Sequence, residues 1–321
     1  MQTKAFDEYQ VLMRGRRFRE AARYAQAQLS QAGEGAFWLT QKARALTRAG
    51  EHEPALQAAR RALELEPQNL YAVASAADAL QGLRRFDDAL TYYEELVPTQ
   101  RLAFAGRKGV LACLSAAERW ARLLERLAEW SLPETESLRW KARALRGLGR
   151  YDEGLEACRR WLELEPDHAP ALWERTELEI RRDGLETVLS RMKRLAKISS
   201  LPQVYAEIYA SLCRRAGRSD EAIRAYGRIT ASGGQARIQK KKAFELAKSG
   251  REREALPQLE ELLRAEPRDI YLHSCYGAAC KRIGEAERGI NFYNELLGLH
   301  PEEKGIYGRI KTLRKHLEMD R

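Results

Sequence analysis

The sequence predicts an all-α solenoid of about nine helix–turn–helix repeats, wound as a right-handed superhelix and closed by a C-terminal capping helix. Three observations predict it. Similar octets recur, "ALELEPQN" at 62–69, "WLELEPDH" at 161–168 and "LLRAEPRD" at 262–269, and the chain aligns with itself at a step near 34 residues. Small residues return at two fixed places in each unit, and Gly and Pro mark the two places where each unit turns.

In that register the units start at residues 2, 36, 70, 102, 135, 170, 203, 236 and 270, filling 1–303, with a tail over 304–321. Position 8 of the unit holds Ala43, Ala77, Gly109, Ala142, Ala210, Ala243 and Gly277, with Tyr9 and Glu177 departing. Position 20 holds Ala21, Ala55, Ala89, Ala121, Gly154, Ala222, Ala255 and Gly289, with Leu189 departing. Two helices whose axes lie about 8–10 Å apart need a side chain no larger than a methyl at the closest approach. Larger apolar residues such as Leu39, Leu46, Leu138, Leu145 and Leu246 surround those slots at helical spacing.

The first helix of a unit stops near position 15, at Gly50, Gly149, Gly184, Gly217, Gly250 and Gly284, where a helix end favours φ > 0. The second stops near position 32, at Pro67, Pro133, Pro166, Pro267 and Pro301. Proline cannot continue a helix but starts one well. Trp161 and Trp173 fall in packing slots, and Trp140 is expected to be exposed. The tail puts Ile306, Ile310, Leu313 and Leu317 on one face against Arg309, Lys311, Arg314 and Lys315, which suits a cap with a polar outer side. A basic amphipathic helix on a membrane surface is the competing reading of that tail.

This pattern resembles the tetratricopeptide repeat, with small residues at 8, 20 and 27, a turn near 15 and proline at 32. The resemblance covers nearly the whole chain. It is weakest in unit four, where Ala116 stands at the turn, and in unit six, where Glu177 and Leu189 fill both contact slots; a wider helix spacing or a kink is expected there. The resemblance implies a scaffold whose first helices line a concave face through positions 2, 5, 6, 9, 12 and 13.

Little else in the sequence points to chemistry. The five histidines are scattered, without metal-ligand spacing, and no nucleophile elbow, phosphate loop or dinucleotide motif occurs. No enzyme activity, cofactor or metal is expected. The five cysteines are never spaced as C-x-x-C and read as reduced packing residues. No window is apolar enough to span a membrane and the N-terminus lacks an apolar signal core, so a cytoplasmic location is expected.

Charge, in contrast, is segregated. On the six first-helix positions eighteen basic residues face five acidic ones, although the whole chain carries only +10. The basic candidates for partner binding are Arg44, Arg48, Arg139, Arg143, Arg146, Arg175, Arg182, Arg215, Lys241, Lys248 and Arg282. Ten of the eighteen lie in the last helical turn, where cations complement the helix dipole, so dipole and solubility form the competing account. Phe37, Tyr71, Val110 and Trp140 complete the candidate surface, beside an apolar stretch of Ala74, Ala103, Gly106, Cys113 and Leu114. The expected function is a protein-binding adaptor whose groove takes an acidic or acidic-amphipathic segment. A nucleic-acid-binding solenoid using the same arginines, and a self-assembling scaffold, are the alternatives. The asparagines (Asn69, Asn291 and Asn294) are not on the groove positions, which argues against the clamp for terminal carboxylates known in this family.

Overall fold

Apolar residues at helical spacing, cut by Gly and Pro every 15 to 20 residues, leave each segment one way to bury its stripe: against the next helix. The structure, a computed structural model, describes residues 2–198, 201–231 and 236–319. Among these residues there is no strand, and nineteen helices follow one another. They run in antiparallel pairs, a first and a second helix each. The pairs are α1 (Gln2–Arg14) and α2 (Phe18–Ala32), α3 (Ala36–Ala49) and α4 (His52–Leu65), α5 (Leu70–Gly82) and α6 (Phe86–Leu96). Then come α7 (Ala103–Ala116) and α8 (Trp120–Glu129), and α9 (Glu134–Gly147) and α10 (Tyr151–Leu164). After these follow α11 (Ala169–Asp183) and α12 (Leu185–Leu195), α13 (Gln203–Arg215) and α14 (Ser219–Ala231), α15 (Ala236–Lys248) and α16 (Glu252–Ala265), and α17 (Ile270–Arg282) and α18 (Ala286–Leu299). A single helix, α19 (Gly305–Met319), ends the series. No helix of the described residues is long and apolar enough to cross a membrane.

The helices divide into two compact units, Met1–Glu165 and Pro166–Arg321. In the first unit α3 touches α5 and α5 touches α7, so first helices form a layer of their own. In the second unit α15 touches α17, and α19 packs on both α17 and α18. That last contact buries Ile306, Ile310 and Leu313, the apolar face read from the tail.

The small residues sit where close approach requires them. Ala43, Ala55, Ala77, Ala89, Ala142, Ala210, Ala222, Ala243 and Ala255 are fully enclosed. Tyr9, a departure from the small-residue pattern, is also fully enclosed. Its ring leaves the first pair and its hydroxyl donates to the Gln41 carbonyl of α3 at 2.8 Å. Burial pushes the Tyr9 hydroxyl up to about 12. Leu189 is likewise buried, on α12.

Each of the six turn glycines has positive φ. At Gly50 the α3 helix ends with Gly50 N–H on the Thr47 carbonyl at 3.1 Å and Glu51 N–H on the Leu46 carbonyl at 2.9 Å. This pairing satisfies carbonyls that the helix end leaves open. Gly184 differs, with φ 87° and ψ 155°, a region open only to glycine, so the α11–α12 turn is not built like the others. The octet ends also do defined work: Asn69 accepts from Tyr71 N–H at 3.2 Å and Ala72 N–H at 3.1 Å. Asp269 does the same for Tyr271 at 2.9 Å and Leu272 at 3.1 Å. Such side-chain caps contribute about 1 kcal/mol each.

One pair departs from the expected register. Positive φ falls at Glu118 rather than at Ala116, two residues later than expected, and Ala121 is exposed while Leu123 is fully buried. Two residues turn a helix by about 200°. The face of α7 read as open is therefore its packed face: Gly106, Val110, Cys113 and Leu114 are buried. A Cβ on Gly106 would stand 2.9 Å from Leu96 Cβ and from the Tyr93 carbonyl.

Candidate functional site

The first helix α3 carries Phe37, Arg44 and Arg48 at i, i+7 and i+11, a spacing that keeps them on one stripe. All three are exposed, Phe37 by 41 %. Phe37 leans on its neighbours, its ring centroid 5.5 Å from Phe6 and 5.1 Å from Trp38. On α5 the same stripe begins with Tyr71, 45 % exposed, and Arg101 holds its guanidinium carbon 5.2 Å from that ring's centroid. The stripe continues to Asp78, which accepts from the Tyr93 hydroxyl at 2.6 Å. Burial raises the Asp78 carboxyl above the usual range; the Tyr93 hydrogen bond and the charges of Arg48 and Arg44 oppose it without forming an ion pair. The wall of the first unit is thus aromatic where these helices begin and basic where α3 ends.

Val110 does not join this surface, because it is fully buried in the α7 core. Trp140 is also buried rather than exposed. Its indole N–H donates to Glu136 Oε1 at 2.9 Å, and Arg139 and Arg143 lie over the ring, 5.5 and 6.0 Å from its centroid. What α9 presents outward is therefore the two guanidinium groups. Arg139 also lies 3.6 Å from Glu136, and Lys108 of α7 lies 3.9 Å from it. Arg146 is half-buried on the same helix.

In the second unit most of the expected cations are held by carboxylates of the fold. Arg175 lies 3.5 Å from Glu179, which Arg191 also engages. Burial raises the Glu179 carboxyl despite both cations. Arg182 bonds Asp183 at 2.7 Å, and Arg215 bonds Glu177 at 2.9 Å. Arg282 donates to the Ala247 carbonyl at 2.7 Å and lies 3.1 Å from Glu252. Lys248 is exposed; Lys241 is half-buried, and burial, followed by the charge of Arg237, lowers its pKa. The first-helix excess of positive charge counted from sequence is partly neutralised by acids at positions that the groove count omits.

Sequence reasoning missed Arg101 against Tyr71, and it missed Phe104, 51 % exposed with Lys108 Nζ 5.4 Å from its ring centroid. The two-residue offset in this pair hid Phe104. The described residues contain no group of His, Cys, Asp or Glu able to hold a metal. Cys113, Cys158, Cys213 and Cys280 are buried and Cys275 is half-buried; burial pushes the Cys113 thiol up to about 12 and that of Cys280 to about 11.

Antiparallel helix pairs, small residues at their contacts and a side-chain-lined layer of first helices define a helical-repeat protein. Residues 113–169 match the family model of the tetratricopeptide repeat. No curated protein matches the sequence. Among solved structures the chain is similar to a tetratricopeptide repeat protein from Parabacteroides merdae, at 15 % identity over 87 % of this chain and 98 % of that one, with a TM-score of 0.39. It is also similar to the C-terminal part of a repeat-containing protein from Cytophaga hutchinsonii, at 12 % identity over 84 % and 98 %, with a TM-score of 0.48. Repeats of this type generally mediate protein–protein interaction and scaffolding, and their proteins are typically not enzymes.

Proposed function

We propose that the chain is a non-enzymatic adaptor that holds a partner-protein segment carrying an apolar anchor and acidic residues against the first helices of its first unit. The observation that supports this reading is the α3–α5 wall, where exposed Phe37 and Tyr71 lead into Arg44 and Arg48. An apolar side chain covered by the two rings gains about 1.5–3 kcal/mol from burial. Acidic residues beside it neutralise Arg44 and Arg48, which are exposed and whose charges reach Asp78 without forming an ion pair. Arg139 and Arg143 extend the basic character of the first unit, and Lys241 and Lys248 offer further cations in the second. Charge of this kind steers encounter and sets specificity more than it adds affinity. Selection from a random peptide library on the full chain tests the proposal. The enriched peptides should combine Phe, Leu or Trp with Asp or Glu within a few residues. Tyr71→Ala and the Arg44→Glu/Arg48→Glu pair should each weaken them at least tenfold. Enrichment of basic or composition-neutral peptides would overturn it.

A further inference from the structure

A cavity of about 510 Å³ opens in the second unit, lined by α12 and the turn after it, by α13 and by α14. It uses none of the first-helix residues discussed above. Lys193 and Lys197 stand four residues apart on one wall; Arg224 and Arg228, also four apart, stand on the other. That spacing puts Arg224 and Arg228 on a single stripe of α14, whereas Lys197 projects from the turn that follows α12. Gly227 lies between the arginines, and a Cβ there would meet only Lys242 Cε, at 3.9 Å, so the wall stays open.

The charges do not cancel. Glu221 is the one carboxylate among the lining residues, and it is already engaged by the Tyr209 hydroxyl at 2.6 Å and Lys193 Nζ at 2.9 Å. Arg218 also lies 3.6 Å from it, so its charge is met by Lys193 and Arg218. The lining holds four cations, Lys193, Lys197, Arg224 and Arg228, to this one carboxylate, and Lys197 and Arg224 are exposed and form no ion pair among the described residues.

We infer that this cavity binds a phosphoryl group, borne by a phosphorylated side chain or by a small phosphate ester. A phosphoryl group carries about −1.5 to −2 near neutral pH, which offsets this surplus of cations more fully than the single charge of a carboxylate. The planar fork of Arg224 can bond two phosphoryl oxygens at once, and Lys197 supplies a point charge opposite. The volume exceeds that of a bare phosphate and leaves room for the organic part that carries it.

Isothermal titration of the full chain with inorganic phosphate, a phosphoserine peptide, and the same peptide with Ser or Glu at that place tests the inference. The phosphoserine peptide or phosphate should bind, the Ser and Glu peptides at least tenfold more weakly. Lys197→Ala with Arg224→Ala should reduce binding at least tenfold, while Lys311→Ala with Arg314→Ala on α19 should leave it unchanged. A phosphopeptide much tighter than phosphate identifies a phosphorylated partner; equal binding identifies a small phosphate ligand. Equal affinity for the Glu peptide, full binding by the cavity variant, or no binding of any phosphorylated probe would overturn the inference. Because the cavity and the α3–α5 wall share no residue, either reading can fail without the other.

Discussion

The Tyr209 hydroxyl on α13 donates a 2.6 Å hydrogen bond to Glu221 on α14, tying the two helices of one pair together by a polar contact. Lys193 Nζ of α12 reaches the same carboxylate oxygen at 2.9 Å, so three successive helices meet at one anion. The Tyr209 hydrogen bond and then that of Lys193 hold the Glu221 carboxyl at about 2, below its ordinary 4.5. A depressed carboxyl stabilises the fold above its unfolded value and loses that contribution as pH falls through the folded one. Glu221→Gln should therefore cost ~1–2 kcal/mol at neutral pH, less than the shift alone implies because solvent screens a partly exposed site. Urea titrations across acid pH should show the gap between wild type and variant closing from about 4.5 toward 2. A gap constant with pH would sever the link to this carboxylate.

Gly109 and Gly277 look alike in sequence, both small residues of a first helix, yet their surroundings differ. A Cβ on Gly109 would collide with the Tyr93 ring of α6, which is itself buried and fixed by Asp78, whereas nothing lies within 4 Å of one on Gly277. Alanine is the better helix former by about 0.5–1 kcal/mol. Gly277→Ala should raise stability by roughly that amount, while Gly109→Ala should lower it by about 1–3 kcal/mol through overpacking. Thermal melts of the two variants should move in opposite directions.

The fold was legible because its contacts are local and repeated: a methyl at each close approach and a glycine or proline at each turn recur in the linear sequence. Unit four broke that logic. Its Gly109 and Ala121 fit the expected slots, but the turn comes at Glu118, and nothing in composition distinguishes a slot from a site two residues away. The site was harder to read for a physical reason. Periodicity tells which face a residue occupies but not which acid reaches it from another helix, as Glu177 reaches Arg215 across 38 residues. The indole of Trp140 looked exposed by position and is covered by Arg139 and Arg143, two cations that were counted as free.

The same offset yields a test of the close-contact slots. Ala89 and Ala255 are fully enclosed, and Ala→Leu at either forces extra methylenes into a packed helix contact, costing about 1–3 kcal/mol. Ala121 is exposed, so Ala121→Leu should change stability by no more than about 0.5 kcal/mol, as surface substitutions do. Denaturation midpoints ranking Ala121→Leu with the other two would contradict the packing of α8.

At the α5–α6 turn, Arg84 adopts φ 61°, with its N–H on the Gln81 carbonyl at 3.0 Å and the Arg85 N–H on the Leu80 carbonyl at 2.9 Å. These are the bonds that close α3 at Gly50, where φ is 81°. The geometry is the same and only the residue differs, so the two turns form a matched pair. An L-residue in this left-handed region costs about 1–2 kcal/mol, because its Cβ crowds the following carbonyl. Glycine avoids that cost but loses more backbone freedom on folding, which returns about 0.4–1 kcal/mol. Arg84→Gly should therefore stabilise the chain by a net ~0.5–1 kcal/mol, and Gly50→Ala should destabilise it by a similar amount. Arg84 contributes no ion pair among the described residues that its removal would sacrifice. Gly184 sets the upper end of this series: at ψ 155° alanine is excluded more strongly, so Gly184→Ala should cost more than Gly50→Ala. Chemical denaturation of the three variants should order them Arg84→Gly, Gly50→Ala, Gly184→Ala from most to least stable, and any other order would show that the turns are not governed by their backbone conformation.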